Sequence, residues 1–85
     1  MTKPPRAKVR RAGSKAPERI AVVFGRNLKA ARLAQSMTQA QLAFDAGISQ
    51  NRIPGIEAGL YDVKISTADS LSRAVGIPLR NLLPD

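Results

Sequence analysis

The stretch from Gln39 to Ala58, QAQLAFDAGISQNRIPGIEA, constrains the fold of this chain more than any other segment. Ala43 is small enough for two helices to cross closely, and Gly47 can take the left-handed conformation that ends a helix. Ile53 and Ile56 then lie on the side that faces the core. The spacing predicts two short helices joined by a tight turn. In such a helix-turn-helix unit, the second helix enters the major groove of DNA.

The composition narrows the chemistry that the chain can perform. A length of 85 residues allows one small domain. There is no cysteine and no histidine, which excludes disulfides, thiolate catalysis and Cys-based zinc sites and removes the commonest general base. No phosphate loop, metal cluster or nucleophile–base set is present. We therefore expect neither an enzyme nor a cofactor.

The net charge of +8 is unevenly distributed along the chain. Residues 1–19 hold seven basic groups and one acidic group, a net of +6, while residues 20–85 hold seven basic and five acidic groups, a net of +2. Such an excess suits a polyanionic partner, most often nucleic acid, although a solubilising tail is the alternative. No apolar run approaches the roughly 18 residues of a membrane helix, so we expect a cytoplasmic protein without a membrane partner.

The first residues of the chain are unsuited to a packed core. Residues 1–16 include Pro4, Pro5 and Gly13 but only one lone aliphatic residue, Val9. They cannot bury enough apolar surface to offset the entropy of ordering, so a disordered basic arm is expected. Residues 17–85 are expected to form the folded domain.

Five helices are predicted within that domain. The first runs from about Pro17 to Gln35, because a proline fits the first helical turn. The apolar stripe that would face the core consists of Ile20, Phe24, Leu28 and Ala31. Thr38 and Gln41 match a capping box, so the second helix begins there and ends at Gly47.

In the second half of the chain, capping residues, glycines and prolines predict where the helices begin and end. The third helix is expected over 49–58, with Ser49 as its cap and Gly59 after it. Residues 60–65 form a loop with anchoring apolar side chains. The fourth helix begins at a cap formed by residues 66–69 and stops at Gly76, and the last short helix covers 78–83. The prediction is an all-α, five-helix domain.

These residues also resemble a known family. The combination of Thr38-Gln39, Leu42-Ala43, Gly47-Ile48-Ser49, Ile56-Glu57-x-Gly59 and Gly76-Ile77-x-Leu79 is similar to the lambda-repressor-like, or xenobiotic-response-element, helix-turn-helix family, also called the Cro/repressor type. The resemblance covers residues from about 20 to 83. It implies a compact five-helix fold and binding of double-stranded DNA, usually as a two-fold homodimer on a palindromic operator.

The resemblance also implies roles for single residues. Gln39 matches a phosphate contact, which suits a helix N-terminus, while Gln50 and Asn51 match base-reading positions. The other implied DNA-binding positions are Ser49 on phosphate or a thymine methyl, Arg52 on phosphate or solvent, Gly55 where the family often has a third base-reading group, and Tyr61 and Lys64 in a loop that grips the backbone. Arg32 and Glu57 match a buried ion pair, although two solvated surface charges are the alternative reading.

Pro54 departs from the pattern. With Ser49 as cap, Pro54 is the fifth helical residue and lacks the N–H that would bond the carbonyl of Gln50, a cost of ~3 kcal/mol. If Asn51 is the cap instead, Pro54 becomes the third helical residue and the lost donor had no partner. Gly55 offers no side chain to DNA, so recognition is expected to depend more on backbone charge and DNA shape.

Two classes of function follow. The first is a dimeric DNA-binding transcriptional regulator, a repressor or a protein that touches RNA polymerase, whose basic arm wraps the backbone or enters the minor groove. Its dimer interface is expected at the exposed side of residues 79–83 and at the loop of Leu60 and Tyr61. The second class is a protein-interaction module, such as an antitoxin bound to a toxin or the controller of a restriction-modification operon.

Overall fold

The computed structural model describes residues 19–84, and within them the chain forms five α-helices and no strand. The helices are α1 (Ile20–Ala34), α2 (Gln39–Ala46), α3 (Ile53–Glu57), α4 (Ile65–Val75) and α5 (Leu79–Leu82), and a 3-10 turn, Gln50–Arg52, directly precedes α3. The predicted all-α, five-helix fold is confirmed. The predicted disordered arm over residues 1–16 and the predicted helix start at Pro17 lie outside the described residues.

One apolar core joins all five helices. Its buried members are Phe24, Leu28, Leu42, Ala43, Ile53, Ile56, Ala68, Leu71, Val75 and Leu82. The scaffold positions of the helix-turn-helix unit are among them, and Ile48 packs against the same cluster from the turn. The sequence prediction of which side of α2 and α3 faces inward is therefore confirmed.

The buried side of α1 differs from the prediction in its first turn. Arg19 is extended, with φ −62° and ψ 146°, so the helix begins at Ile20. Ile20 is 63% exposed and does not belong to the buried stripe, because it borders a surface groove rather than the core. Val23 is buried instead. The close packing of this helix depends on Gly25, where a Cβ atom would lie 2.2 Å from the carbonyl oxygen of Ile56 on α3.

Both ends of α2 follow the prediction. The backbone N–H of Gln41 donates to Thr38 Oγ1 at 3.0 Å, and the side chain of Gln41 accepts from the N–H of Thr38 at 2.8 Å, which completes the capping box. Gly47 ends the helix with φ 72°, and the N–H of Ile48 donates back to the carbonyl of Ala43 at 2.9 Å.

The third helix is shorter than predicted and has two parts. Ser49 precedes the 3-10 turn without a side-chain cap bond, and Asn51 lies inside that turn, so neither predicted cap holds. Arg52 occupies the N-cap position of α3, which makes Pro54 the second helical residue. The missing N–H of the proline therefore falls in the first turn, where such groups lack intrahelical partners. The carbonyl of Gln50 accepts from the N–H of Ile53 instead.

The fourth helix starts earlier than predicted. Lys64 occupies its N-cap position and donates no side-chain cap bond, so Ser66 lies inside the first turn rather than capping it. The earlier start turns Ile65 outward, where it is 81% exposed, and Leu60 is exposed as well. Of the loop residues, Val63 packs against the core. The predicted end at Gly76 is confirmed, with φ 72°.

Candidate nucleic-acid interface

Four consecutive polar residues are exposed where the chain passes from α2 to α3. Ser49 precedes the 3-10 turn, and Gln50, Asn51 and Arg52 form it. The turn is closed by bonds from the N–H of Arg52 to the carbonyl of Ser49 (3.0 Å) and from the N–H of Ile53 to the carbonyl of Gln50. Buried Ile53 follows at once, so the turn is fixed to the core while its side chains remain available to a partner.

The N-terminus of α2 offers a second polar element. Thr38 caps it, and the first N–H groups of the helix, at Gln39 and Ala40, have no intrahelical partner. The positive end of the helix dipole and these donors together attract an anion such as a phosphate. Gln39 itself is half-buried at this end of the helix.

A buried ion pair joins α1 to the end of α3 beside the N-terminus of α2. The Nε and Nη2 atoms of Arg32 donate to the two carboxylate oxygens of Glu57 at 2.6 and 3.0 Å, and the two side chains are only 8% and 3% exposed. Arg32 Nη1 also donates to the carbonyl of Met37 at 2.8 Å. The hydrogen bond to Glu57 raises the pKa of Arg32, against the lowering effect of burial, so the guanidinium stays charged.

Gln39 is joined to this ion pair. Its Nε2 atom donates to Glu57 Oε1 at 3.1 Å. Because a carboxylate only accepts hydrogen bonds, the amide nitrogen of Gln39 must face Glu57, and its second N–H remains for another acceptor. The start of α2 is thus bonded to the last residue of α3 across 18 positions of sequence, a link for which the local sequence carries no signal.

Tyr61 covers Gly55 of α3, the position for which the family resemblance implied a third base-reading group. Gly55 is half-buried, and a Cβ atom there would lie 2.7 Å from Cε2 of Tyr61. The hydroxyl of Tyr61 donates to the carbonyl of Arg52 at 2.9 Å. Sequence reasoning treated Gly55 and Tyr61 as separate positions and missed their contact. Lys64 is exposed at the N-cap position of α4.

A protein-family model described as helix-turn-helix matches residues 28–82, which is more than half of the chain. The chain belongs to this helix-turn-helix family. The resemblance to the xenobiotic-response-element type is confirmed, and so is the predicted function class, a DNA-binding transcriptional regulator.

Similar proteins include two controllers and one regulator. Control protein C.BamHI of Bacillus amyloliquefaciens is 32% identical over 65 residues, which cover 75% of this chain and 80% of that protein. The restriction-modification controller C.AhdI from Aeromonas hydrophila is 32% identical, with a TM-score of 0.69, over 73% of this chain and 94% of that one. The biofilm regulator SinR in complex with DNA is 22% identical, with a TM-score of 0.66, over 69% of this chain and 95% of that one, and shares the fold.

These relatives are regulators rather than enzymes. Across residues 19–84, no helix of this family member is long and apolar enough to cross a membrane. The roles of the single site residues and the predicted dimer stay predictions.

Proposed function

We propose that this helix-turn-helix protein binds a palindromic operator as a homodimer and reads it with the turn before α3. The supporting observation is the run of four exposed polar residues, Ser49 to Arg52, on a turn fixed by buried Ile53. The amides of Gln50 and Asn51 can pair bidentately with N6 and N7 of adenine in the major groove. Ser49 meets a phosphate or a thymine methyl, and Arg52 meets a phosphate.

Contacts to the DNA backbone supply most of the affinity in this proposal. Gln39 and the first N–H groups of α2 bind one phosphate, and exposed Lys64 binds another. The basic residues among positions 1–19 lie on the backbone or enter the adjacent minor groove. A bound dimer acts by occupying a promoter, or by touching RNA polymerase from beside it.

An apolar groove supports the proposed dimer. It has a volume of about 440 Å³ and lies between the start of α1, the loop before α4 and α5. Ile20 and Ile65 on its rim are 63% and 81% exposed, and Leu79 and Leu83 line it. A second copy of the chain that places the same patch against this one would cover these side chains in a two-fold interface.

The DNA-binding proposal is tested by selecting bound sequences from a random DNA pool and then titrating a fluorescein-labelled selected duplex. Asn51→Ala and Gln50→Ala are each expected to weaken binding to the selected duplex by ~1–3 kcal/mol and to relax base preference at one position. Asn81→Ala, which removes an exposed amide from α5, is the matched control and should bind like the wild type. Failure to enrich any sequence, with equal binding to all DNA, would contradict the proposal.

The dimer is tested by sedimentation equilibrium of the full chain. Ile65→Asp should shift the protein toward monomer, because a carboxylate would have to be desolvated in the interface. The first turn of a helix accepts an aspartate, so the fold itself should tolerate the change. Phe44→Asp is the control, since Phe44 is 86% exposed but lies outside the groove. A wild-type protein that stays monomeric on its selected DNA would contradict the dimer.

The relatives favour one biological setting. C.BamHI and C.AhdI are control proteins, and both are 32% identical to this chain. We therefore place the controller of a restriction-modification operon ahead of an antitoxin as the specific role. Adjacent genes for an endonuclease and a methyltransferase would support this role, while an adjacent toxin gene would favour the antitoxin.

A further inference from the structure

Tyr61 turns back over α3 and lies directly on the backbone of Gly55. A Cβ atom at position 55 would be 2.7 Å from Cε2 and 2.8 Å from the hydroxyl oxygen of Tyr61. Real Cβ atoms do not approach other atoms this closely, so the ring can occupy its place only because residue 55 has no side chain. One backbone bond holds the start of the loop that carries the ring, because the N–H of Leu60 donates to the carbonyl of Gly55 at 3.0 Å.

The hydroxyl of Tyr61 is engaged with the protein itself. It donates to the carbonyl of Arg52 at 2.9 Å. A phenol has one proton to donate, so the same hydroxyl cannot donate to a DNA phosphate while this bond exists. The observed geometry therefore opposes the direct grip on the DNA backbone that the family resemblance implied for Tyr61.

We propose that Tyr61 is a positioning residue, which sets the conformation of the base-reading turn through its bond to Arg52 rather than by contacting DNA. This inference rests on the proposed reading of bases by Gln50 and Asn51. Arg52 is the residue directly after Asn51 and the last residue of the 3-10 turn. A bond at its carbonyl fixes the peptide plane at the point where the chain changes from the 3-10 turn to α3.

The junction between the 3-10 turn and α3 is stabilised by few bonds within these two elements. The helix α3 has only five residues, and neither the 3-10 turn nor α3 begins with a side-chain cap bond. A helix of this length has little intrinsic stability, so its geometry depends on tertiary contacts. Tyr61 supplies such a contact at the reading end, from a residue nine positions away.

A positioning role for Tyr61 affects the preference for the selected duplex over other DNA, and not the binding of DNA in general. Tyr61→Phe removes the hydroxyl and keeps the ring on Gly55. We expect binding to the selected duplex to weaken about 2- to 12-fold, the equivalent of one neutral hydrogen bond, while binding to a scrambled duplex and its salt dependence stay unchanged. Ser70→Ala is the matched control, because it deletes another hydroxyl that donates to a backbone carbonyl (Ser66, 3.1 Å), away from the turn.

Gly55→Ala tests the other half of the contact. The new methyl group should push the ring off α3 and break the hydroxyl bond, so this variant should lose at least as much preference as Tyr61→Phe. The double variant should then lose little more than Gly55→Ala alone, because both changes remove the same bond. Fully additive losses would show that the two residues act separately and would overturn the proposal.

A measurement without DNA separates this proposal from the proposed function. In the free full-length protein, the amide proton of Ile53, which bonds Gln50, should exchange with solvent about 2- to 12-fold faster in Tyr61→Phe and at the wild-type rate in Ser70→Ala. Unchanged exchange would overturn the positioning role whether or not the protein selects a DNA sequence. Equal weakening on selected and scrambled DNA would instead make Tyr61 a contact to the DNA backbone and overturn it as well.

Discussion

At the scale of single residues, the Arg32–Glu57 pair connects α1, the start of α2 and the end of α3. It joins α1 to the end of α3, its guanidinium holds the carbonyl of Met37 before α2, and its carboxylate holds the amide of Gln39. The lone pairs of the carboxylate and the donors of the guanidinium are thus largely satisfied away from water. A buried pair with these partners is costly to break, whatever its net contribution when intact.

Breaking this pair should destabilise the domain. Glu57→Gln leaves the buried charge of Arg32 without a counter-ion, so we expect the free energy of unfolding to fall by about 3–5 kcal/mol in urea titrations. Asp69→Asn is the control, because Asp69 pairs with Arg73 at a similar distance, 2.9 Å, on an exposed surface. It should lose less than about 1 kcal/mol. Equal losses in the two variants would show that burial of the pair has no energetic consequence.

Alanine substitutions at Gly25 and Gly47 test two different requirements for glycine, which are close packing of two helices and a left-handed backbone conformation. Gly25→Ala would place a methyl group 2.2 Å from a backbone oxygen of α3, which cannot rotate away. We expect a loss of about 3 kcal/mol or unfolding, at the upper end for overpacking. At Gly47 there is open space but φ is +72°, so alanine should cost only about 1–2 kcal/mol. Chemical denaturation of both variants measures the difference, and a smaller loss at Gly25 would contradict the close approach of α1 and α3.

At the scale of elements, the third helix is built around its proline rather than damaged by it. The change from 3-10 turn to α-helix puts Pro54 in the first turn, and the carbonyl of Gln50 finds a donor three residues on instead of four. The consequence is a three-residue 3-10 turn followed by a helix of only five residues.

Replacing the proline should therefore bring little stability. Pro54→Ser restores an N–H that has no partner in the first helical turn and makes the unfolded chain more flexible, so we expect a loss of up to about 1 kcal/mol. An interior proline would give the opposite result, a gain of ~3 kcal/mol on replacement. Thermal and urea unfolding of the two proteins distinguish these outcomes by sign.

What the sequence could predict depends on how local each signal is. Three predictions for α2 were correct: the capping box at Thr38, the stop at Gly47 and the buried side of the helix. Each of them depends on residues that lie only a few positions apart. The start of α4 failed because a serine that can cap a helix can equally lie in its first turn. The contact of Tyr61 with Gly55 could not be predicted, because it depends on how a loop folds back in space.

At the scale of the whole molecule, most of the net positive charge lies ahead of the helix-turn-helix residues in the chain. Residues 1–19 carry a net of +6, whereas residues 20–85 carry only +2 and include the scaffold of the reading turn. Affinity and sequence preference should therefore be separable, since phosphate contacts set the first and base contacts the second.

Neutralising the basic groups near the start of the chain should test that separation. A full-length variant with Lys3, Arg6, Lys8, Arg10, Arg11 and Lys15 changed to glutamine removes six positive charges. We expect weaker binding to all DNA and a slope of log affinity against log salt that is smaller by up to about 5 per subunit, because fewer counterions are released. The ratio of selected to scrambled binding should stay near its wild-type value. An unchanged slope would assign the charge to solubility instead.

The aromatic ring on α3 also has a consequence for how the protein can be observed. Tyr61 is the only tyrosine in the chain, and there is no tryptophan. At wavelengths too long for the two phenylalanines to absorb, the ultraviolet emission of the protein therefore comes from a single ring, which is 40% exposed and bonded to the carbonyl of Arg52. Its brightness and anisotropy report the state of one junction without any attached dye. The molecule carries its own optical probe at the place where its readout of DNA would be decided.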